Sequence, residues 1–139
     1  MIDKNEVIAV LLGGLSHEAE ISRRTGAAVT EALCSLGYKA IPVEYKPNLV
    51  LKQLQEINAK MVFIALHGKY GEDGTIQSVL ELAGIPYTGS GVSSSAITMD
   101  KILSSRIFKQ AGINMAFSMP YYLSDGLDKV EDSIKKHFK

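Results

Sequence analysis

Two continuous apolar runs, each ended by a glycine-containing loop, limit what this chain can fold into. The first is VIAVLLGG at residues 7–14, and the second is MVFIAL at 61–66, which leads into HGKYGEDG. Apolar runs without polar alternation are typical of strands buried on both faces of a parallel sheet. We therefore predict two buried strands with glycine loops at their carboxyl ends.

A helical pattern follows the first run. Its spacing predicts a helix over 16–36, with Ser16 as the N-cap and Gly37 beyond its end. The residues expected on its apolar face are Ile21, Thr25, Ala28, Ala32, Leu33 and Leu36.

The rest of the chain continues this alternation. A strand is predicted at 38–45, where Pro42 indicates an edge position or a bulge. Helices are predicted at 48–57, 75–84 and 127–138, one or two helical segments at 93–112, and extended segments at 85–91 and 114–123. The predicted class is therefore α/β, a three-layer fold with a mainly parallel sheet flanked by helices and right-handed crossovers. In such sheets ligands bind at the carboxyl ends of the strands.

Composition excludes several functional classes. The chain has 139 residues, with 15 Lys+Arg against 15 Asp+Glu, so it has no basic excess for binding nucleic acid. The apolar run near the start is too short to span a membrane, and it lacks the features of a secretory leader. Cys34, the single cysteine, lies in a helical pattern and is expected to be a buried thiol in a reducing compartment. These features predict a cytoplasmic protein.

The loop GGLSHEAEIS at 13–22 places two acids, Glu18 and Glu20, at a helix start. The spacing differs from that of a dinucleotide-binding loop, and the acids favour a cationic ligand group such as an amine over a phosphate. The alternative is structural. In that interpretation both acids complement the helix dipole, and Glu20 pairs with Arg24 one turn later.

The loop LHGKYGEDGT at 66–75 combines His67 with three glycines and two acids. His67 directly follows a buried strand, so its ring is expected near the carboxyl edge of the sheet. Glu72 is expected to accept a hydrogen bond from His67, and Asp73 to cap the helix that begins near Thr75. A glycine-rich turn with an ordinary histidine is the alternative. A metal site is not predicted, because no second histidine stands at a ligand spacing.

A third stretch, YTGSGVSSSAITMDKI at 87–102, combines glycines and serines with Lys101. This composition resembles a phosphate contact, although the sequence has no P-loop motif. A solvated helical lysine is the alternative.

Together, GGLSHEAEIS, FIALHGKYGEDGTIQSVLELAGIPYTGSG and MDK resemble the N-terminal domain of bacterial D-alanine–D-alanine ligases. The resemblance extends over nearly the whole chain from about residue 7, and it implies a Rossmann-like pre-ATP-grasp domain. The family joins two D-alanines using ATP and Mg²⁺, through a D-alanyl phosphate, to make a peptidoglycan precursor.

The resemblance also implies residue roles. Glu18 would orient the first D-alanine through its amino group, and His67 would lie beside the same molecule. Ser90 and Gly91 would lie near the substrate end of the domain. Lys101 would contact the ATP phosphates.

The resemblance further implies an arrangement of domains. Residues 1–113 would form the substrate-side domain, and 114–139 a linker and first helix leading into an ATP-grasp part whose motifs this sequence lacks. The chain alone is therefore expected to have no ligase activity, and the parent enzyme is expected to be a homodimer. Two alternatives stay open: a non-enzymatic α/β module that binds a small molecule, and a fragment of a D-alanine–D-lactate or D-serine ligase.

Overall fold

The structure, a computed structural model, describes residues 3–138, which fall into two compact units divided between Met99 and Asp100. The elements of the first unit are β1 (Val7–Leu12), α1 (Ala19–Ser35), β2 (Lys39–Glu44), α2 (Val50–Glu56), β3 (Ala59–Ile64), α3 (Thr75–Leu82) and α4 (Val92–Met99). Those of the second unit are α5 (Lys101–Gln110), a short 3₁₀ turn (Leu123–Asp125) and α6 (Gly126–His137).

The first unit is built on a parallel sheet with strand order β2-β1-β3. All six residues of β1 are buried, as expected for the central strand. β2 lies at an edge and contains Pro42, which confirms the position predicted for that residue. The predicted α/β class, with a parallel sheet flanked by helices, is confirmed.

The second apolar run differs from its prediction. β3 begins at Ala59 and ends at Ile64, and within the strand only Val62 is buried. The physical reason is its edge position: beyond β3 the described residues add a single parallel bridge, between Val62 and Tyr87. The two residues after the strand, Ala65 and Leu66, are buried and lead into the loop.

The core lies between the sheet and two of its helices. α2 contributes Val50 and Leu54, and α3 contributes Ile76 and Leu80, each at most 2% exposed. They pack in one cluster with strand residues, among them Leu11 and Val62.

α1 packs on the sheet mainly through small residues, and of the apolar face predicted from its spacing only Thr25 and Leu33 are half-buried. Its buried residues are Ser22 and Gly26, whereas Ile21 and Leu36 are 55% and 62% exposed. A Cβ built on Gly26 would lie 2.5 Å from the Cβ of Leu12. The helix therefore approaches β1 too closely for a larger side chain at this position.

Cys34 is exposed, so the prediction of a buried thiol is wrong. The sheet-facing side of α1 runs through Ser22, Gly26 and the half-buried Val29 and Leu33. Cys34 is one residue further along and points away from that line because successive helical residues are about 100° apart.

Ser22 ties α1 to the carboxyl ends of two strands. Its hydroxyl accepts a hydrogen bond from the Gly13 N–H at 2.9 Å and donates one to the Ala65 carbonyl at 2.7 Å. The residue is completely buried. One hydroxyl thus joins the segments that follow β1 and β3.

In the second unit, Asp100 caps α5 by accepting hydrogen bonds from the Ile102 and Leu103 N–H groups. The helical segments predicted over 93–112 are confirmed as α4 and α5. The last predicted helix is confirmed as α6, and the Phe117 ring stacks on the His137 ring with centroids 3.6 Å apart. Among residues 3–138, no helix is both long enough and apolar enough to cross a bilayer.

Replacing Gly26 should destabilise the first unit. We expect Gly26→Val to lower the free energy of unfolding by about 1–3 kcal/mol, because the new side chain must displace Leu12. Ala27→Val is the matched control, since it adds the same side chain at an exposed position of the same helix. Helix propensity alone would make the control the less stable variant, because Ala→Val lowers it and Gly→Val raises it. Urea unfolding measures the free energy of unfolding of both variants. Equal losses would contradict the close approach of α1 to β1.

Ser22→Ala should also destabilise the fold, by about 1–3 kcal/mol, because it leaves a buried N–H and a buried carbonyl without their partner. Ser35→Ala, which removes an exposed hydroxyl bonded to the Ala32 carbonyl, serves as the control. Urea unfolding of both variants measures the difference. A loss no larger than the control's would show that the Ser22 bridge contributes little.

Candidate functional site

Two loops meet at the carboxyl edge of the sheet. One follows β1 and leads into α1, and the other follows β3 and leads into α3. β1 and β3 are adjacent parallel strands, so the loops begin side by side. The Ser22 hydroxyl joins their first residues, as described above.

Ser16 forms a second link between the loops. Its hydroxyl donates a hydrogen bond to the His67 carbonyl at 2.8 Å and accepts one from the Glu18 N–H at 3.2 Å. The prediction of Ser16 as the N-cap is wrong, because α1 begins at Ala19 and the N-cap position is Glu18. The hydroxyl instead holds the backbone of the facing loop.

Glu18 lies directly against the second loop. A Cβ built on Gly68 would lie 3.0 Å from Glu18 Oε2, and Gly68 has a φ of +70°, so both space and backbone favour glycine there. Within residues 3–138, the Glu18 carboxylate accepts no hydrogen bond and forms no ion pair. It is therefore available to a ligand.

Glu20 differs from Glu18 in being paired. Its carboxylate lies 3.5 Å from Arg23 Nη1, and not beside Arg24 as the structural alternative predicted. Arg23 also forms a 2.8 Å ion pair with Glu44, and this carboxylate raises the pKa of the Arg23 guanidinium. The Arg23 contacts leave Glu18 as the unpaired acid of this loop.

His67 lies where its position after β3 predicted, at the carboxyl edge of the sheet. Its side chain is 33% exposed, and its Nε2 is a buried atom without a hydrogen-bond partner in the described part of the chain. Nδ1 lies 4.0 Å from Glu72 Oε1, beyond hydrogen-bond distance, so the predicted His67–Glu72 hydrogen bond is wrong. Glu72 instead accepts a hydrogen bond from the Gly68 N–H at 2.6 Å.

Asp73 shapes the rest of this loop. It accepts hydrogen bonds from the N–H groups of Tyr70 at 2.9 Å and Thr75 at 3.0 Å, and so caps the first turn of α3 as predicted. The formal N-cap position is Gly74, in a left-handed conformation. Partial burial raises the pKa of Asp73, but these hydrogen bonds outweigh it and hold the pKa below its ordinary value.

Two positioning residues were not predicted from the sequence. Ser22 links the loops, and the buried Gln77 donates a hydrogen bond from Nε2 to the Gly71 carbonyl at 2.8 Å. Gln77 is a polar residue beside Ile76 at the start of an otherwise apolar helix face, and that contrast is the signal that could have identified it.

The two loops enclose a cleft of about 310 Å³. Its lining residues are Leu15, Ser16, His17, Glu18, Gly68, Lys69 and Tyr70. The lining therefore combines a residue with an unpaired carboxylate, a lysine and apolar surface. This combination suits a small zwitterionic ligand.

Glu18 is the one predicted site residue in this lining, and His67, Ser90, Gly91 and Lys101 lie outside it. The Ser90 and Gly91 carbonyls accept hydrogen bonds from Ser95 at 3.3 and 3.0 Å, and both residues are exposed. Lys101 is the exposed first residue of α5 and belongs to the second unit. Across residues 3–138, no three His, Cys, Asp or Glu side chains are grouped so that they could hold a metal ion.

Comparison with known proteins gives a consistent answer. The family described as D-ala D-ala ligase N-terminus matches residues 47–90, which include β3, the His67 loop and α3. A D-alanine–D-alanine ligase from Citrifermentans bemidjiense is 49% identical over 113 residues, which are 81% of this chain and 37% of that protein. One from Moorella thermoacetica is 52% identical over 106 residues, or 76% of this chain and 34% of that protein.

Solved structures agree. The crystal structure of D-alanine–D-alanine ligase from Bacillus anthracis superposes with a TM-score of 0.80 at 34% identity, covering 96% of this chain and 43% of that one. The same enzyme complexed with ATP gives 0.73 at 37% identity, covering 90% of this chain and 44% of that one. The chain spans about a third of the length of the curated relatives it matches. Sequence and fold together assign this chain to the N-terminal domain of the D-alanine–D-alanine ligase family.

Proposed function

We propose that this chain supplies the substrate side of an ATP-dependent ligase that joins two D-alanines for peptidoglycan synthesis. The observation that supports this most directly is the unpaired Glu18 carboxylate, which lies against the backbone of the His67 loop in a cleft of amino-acid size. The names of the relatives supply the substrate.

In the proposed reaction a carboxylate oxygen of the first D-alanine attacks the γ-phosphorus of ATP. ADP leaves, and a D-alanyl phosphate forms. The amine of the second D-alanine then attacks the acyl carbon, and inorganic phosphate leaves with the C–O bond pair. The attacking nitrogen then loses a proton, which gives the neutral amide of the dipeptide.

The role of this domain in that reaction is positioning. The Glu18 carboxylate would hold the ammonium group of the first D-alanine, and His67 would lie beside the same molecule at the edge of the sheet. Because the loops are already fastened to each other through Ser16 and Ser22, the bound amino acid would be held in one orientation. Orienting a nucleophile in this way lowers the entropic part of the barrier.

The remaining assignments are part of the same proposal. Lys101 would contact the ATP phosphates, and Ser90 and Gly91 would lie near the substrate end of the domain. The described residues offer no cluster of ligands that fits Mg²⁺, so ATP and this ion would be bound mainly by the ATP-grasp part. Residues 1–113 would form the substrate-side domain, 114–139 the connection to an ATP-grasp part, and the parent enzyme would be a cytoplasmic homodimer.

The 139-residue chain by itself should not catalyse ligation. We expect no phosphate release above background from the purified chain with ATP, Mg²⁺ and D-alanine, because its relatives are more than twice as long. A coupled phosphate assay measures this, with a complete relative as the positive control. Phosphate release by the chain alone would contradict the proposal that ligation also needs the ATP-grasp part.

In the complete ligase, Glu18→Gln should raise the KM for the first D-alanine by roughly 10-fold or more, because a charge-assisted hydrogen bond to the ammonium is lost. The KM for ATP should change much less. Glu20→Gln is the matched control, since its carboxylate is already paired with Arg23. Equal effects of Glu18→Gln on both substrates would count against the assigned role.

A further inference from the structure

Two residues of opposite charge line the cleft from different loops. Glu18 belongs to the loop after β1 and Lys69 to the loop after β3, and both line the same space. Among residues 3–138, neither forms an ion pair within 4 Å, either with the other or with a third residue. A carboxylate and an ammonium that share a cleft without pairing are both available to a ligand that has both charges.

Tyr70 supports Lys69 in this position. The Lys69 ammonium lies over the Tyr70 ring, with Nζ 5.1 Å from the ring centroid, a distance at which a cation is attracted to an aromatic face. The ring is half-buried and packs against the core cluster. The Tyr70 ring therefore modestly favours this position of the exposed Lys69 ammonium.

The backbone of Tyr70 is strained. Its φ is +71°, in the left-handed region that a residue with a side chain rarely adopts. Two hydrogen bonds hold it there: its N–H donates to Asp73 Oδ2 at 2.9 Å, and its carbonyl accepts from the Ile76 N–H at 3.2 Å. A glycine would adopt this conformation without strain, so the aromatic ring is retained at a conformational cost, as is common at functional sites.

We propose that Lys69 binds the α-carboxylate of the first amino acid while Glu18 holds its ammonium group, with Tyr70 as the support for the lysine. This inference rests on the proposed function and adds a specificity-determining residue to it. The carboxylate must approach the negatively charged ATP phosphates, and a cation beside it reduces the repulsion between the two reactants. The pair of charges also selects a zwitterion over an amine or an acid alone.

The test compares two ligands on the complete ligase. D-Alanine has both charges, and D-alaninamide has the ammonium group but no carboxylate. We expect Lys69→Met to raise the KM for the first D-alanine by roughly 2- to 5-fold, the size of a partly exposed ion pair. The inhibition constant of D-alaninamide at the same subsite should be unchanged, and Lys69→Arg should restore most of the D-alanine affinity.

Two further variants make the outcome decisive. Lys60→Met, at an exposed position near the start of β3 and away from the loops, should leave both constants unchanged. Glu18→Gln should weaken both ligands. If Glu18→Gln weakens both while Lys69→Met weakens neither, or weakens both equally, the Lys69 role is wrong and the proposed function stands. If Glu18→Gln also has no effect on either ligand, the proposed function itself fails.

Discussion

The substrate side of this domain depends on one buried hydroxyl. Ser22 receives the Gly13 N–H and donates to the Ala65 carbonyl, and so fixes the first residues of two loops relative to each other. Strand pairing between β1 and β3 ends just before these residues. The link from Ser16 to His67 and the contact of Glu18 with Gly68 both lie beyond that point. The geometry of the cleft is therefore an extension of the sheet, fastened by side-chain hydroxyls where backbone pairing stops.

The same serine explains how α1 packs. A helix that must bring a hydroxyl to the ends of two strands has to lie close to the sheet, and Gly26 one turn later permits that approach. Of the larger apolar residues in and next to α1, Val29 and Leu33 are only half-buried on the sheet-facing side, and Ile21 and Leu36 are exposed. The close contact of α1 with the ends of β1 and β3 therefore leaves less apolar surface of this helix buried.

Much of the fold could be predicted from the sequence because it depends on local patterns. The apolar run of β1, the proline in β2 and the glycines after α1 and α3 marked the elements correctly. The errors mostly concern the partners of polar side chains. Glu20 pairs with Arg23 and not with Arg24, and Glu72 accepts from the Gly68 N–H of its own loop and not from the His67 ring. Ser16 bonds to the His67 carbonyl in a different loop, a contact that no local pattern indicates. The exposure of Cys34 likewise depends on which side of α1 faces the sheet, and small residues decided that side against the apolar pattern.

The placement of Glu18 and His67 in one locality followed from chain topology, since adjacent parallel strands end at the same edge. Topology does not predict their roles towards a substrate. Those roles rest on the resemblance to the ligases and on the proposal built from the cleft. Lys69 and Tyr70 were not singled out, because a lysine beside a tyrosine in a loop has no distinctive pattern. The left-handed backbone of Tyr70 is visible only in three dimensions.

Hydrogen bonds order the loop from Gly68 to Gly74 before any ligand binds. The Glu72 and Asp73 carboxylates accept from the N–H groups of Gly68 and Tyr70, and Gln77 of α3 donates to the Gly71 carbonyl. Such a loop loses little conformational entropy when a ligand arrives, because its order precedes binding. Association of an amino acid with this half of the site should then resemble a rigid-body encounter. An induced fit during the catalytic cycle would have to arise outside this loop.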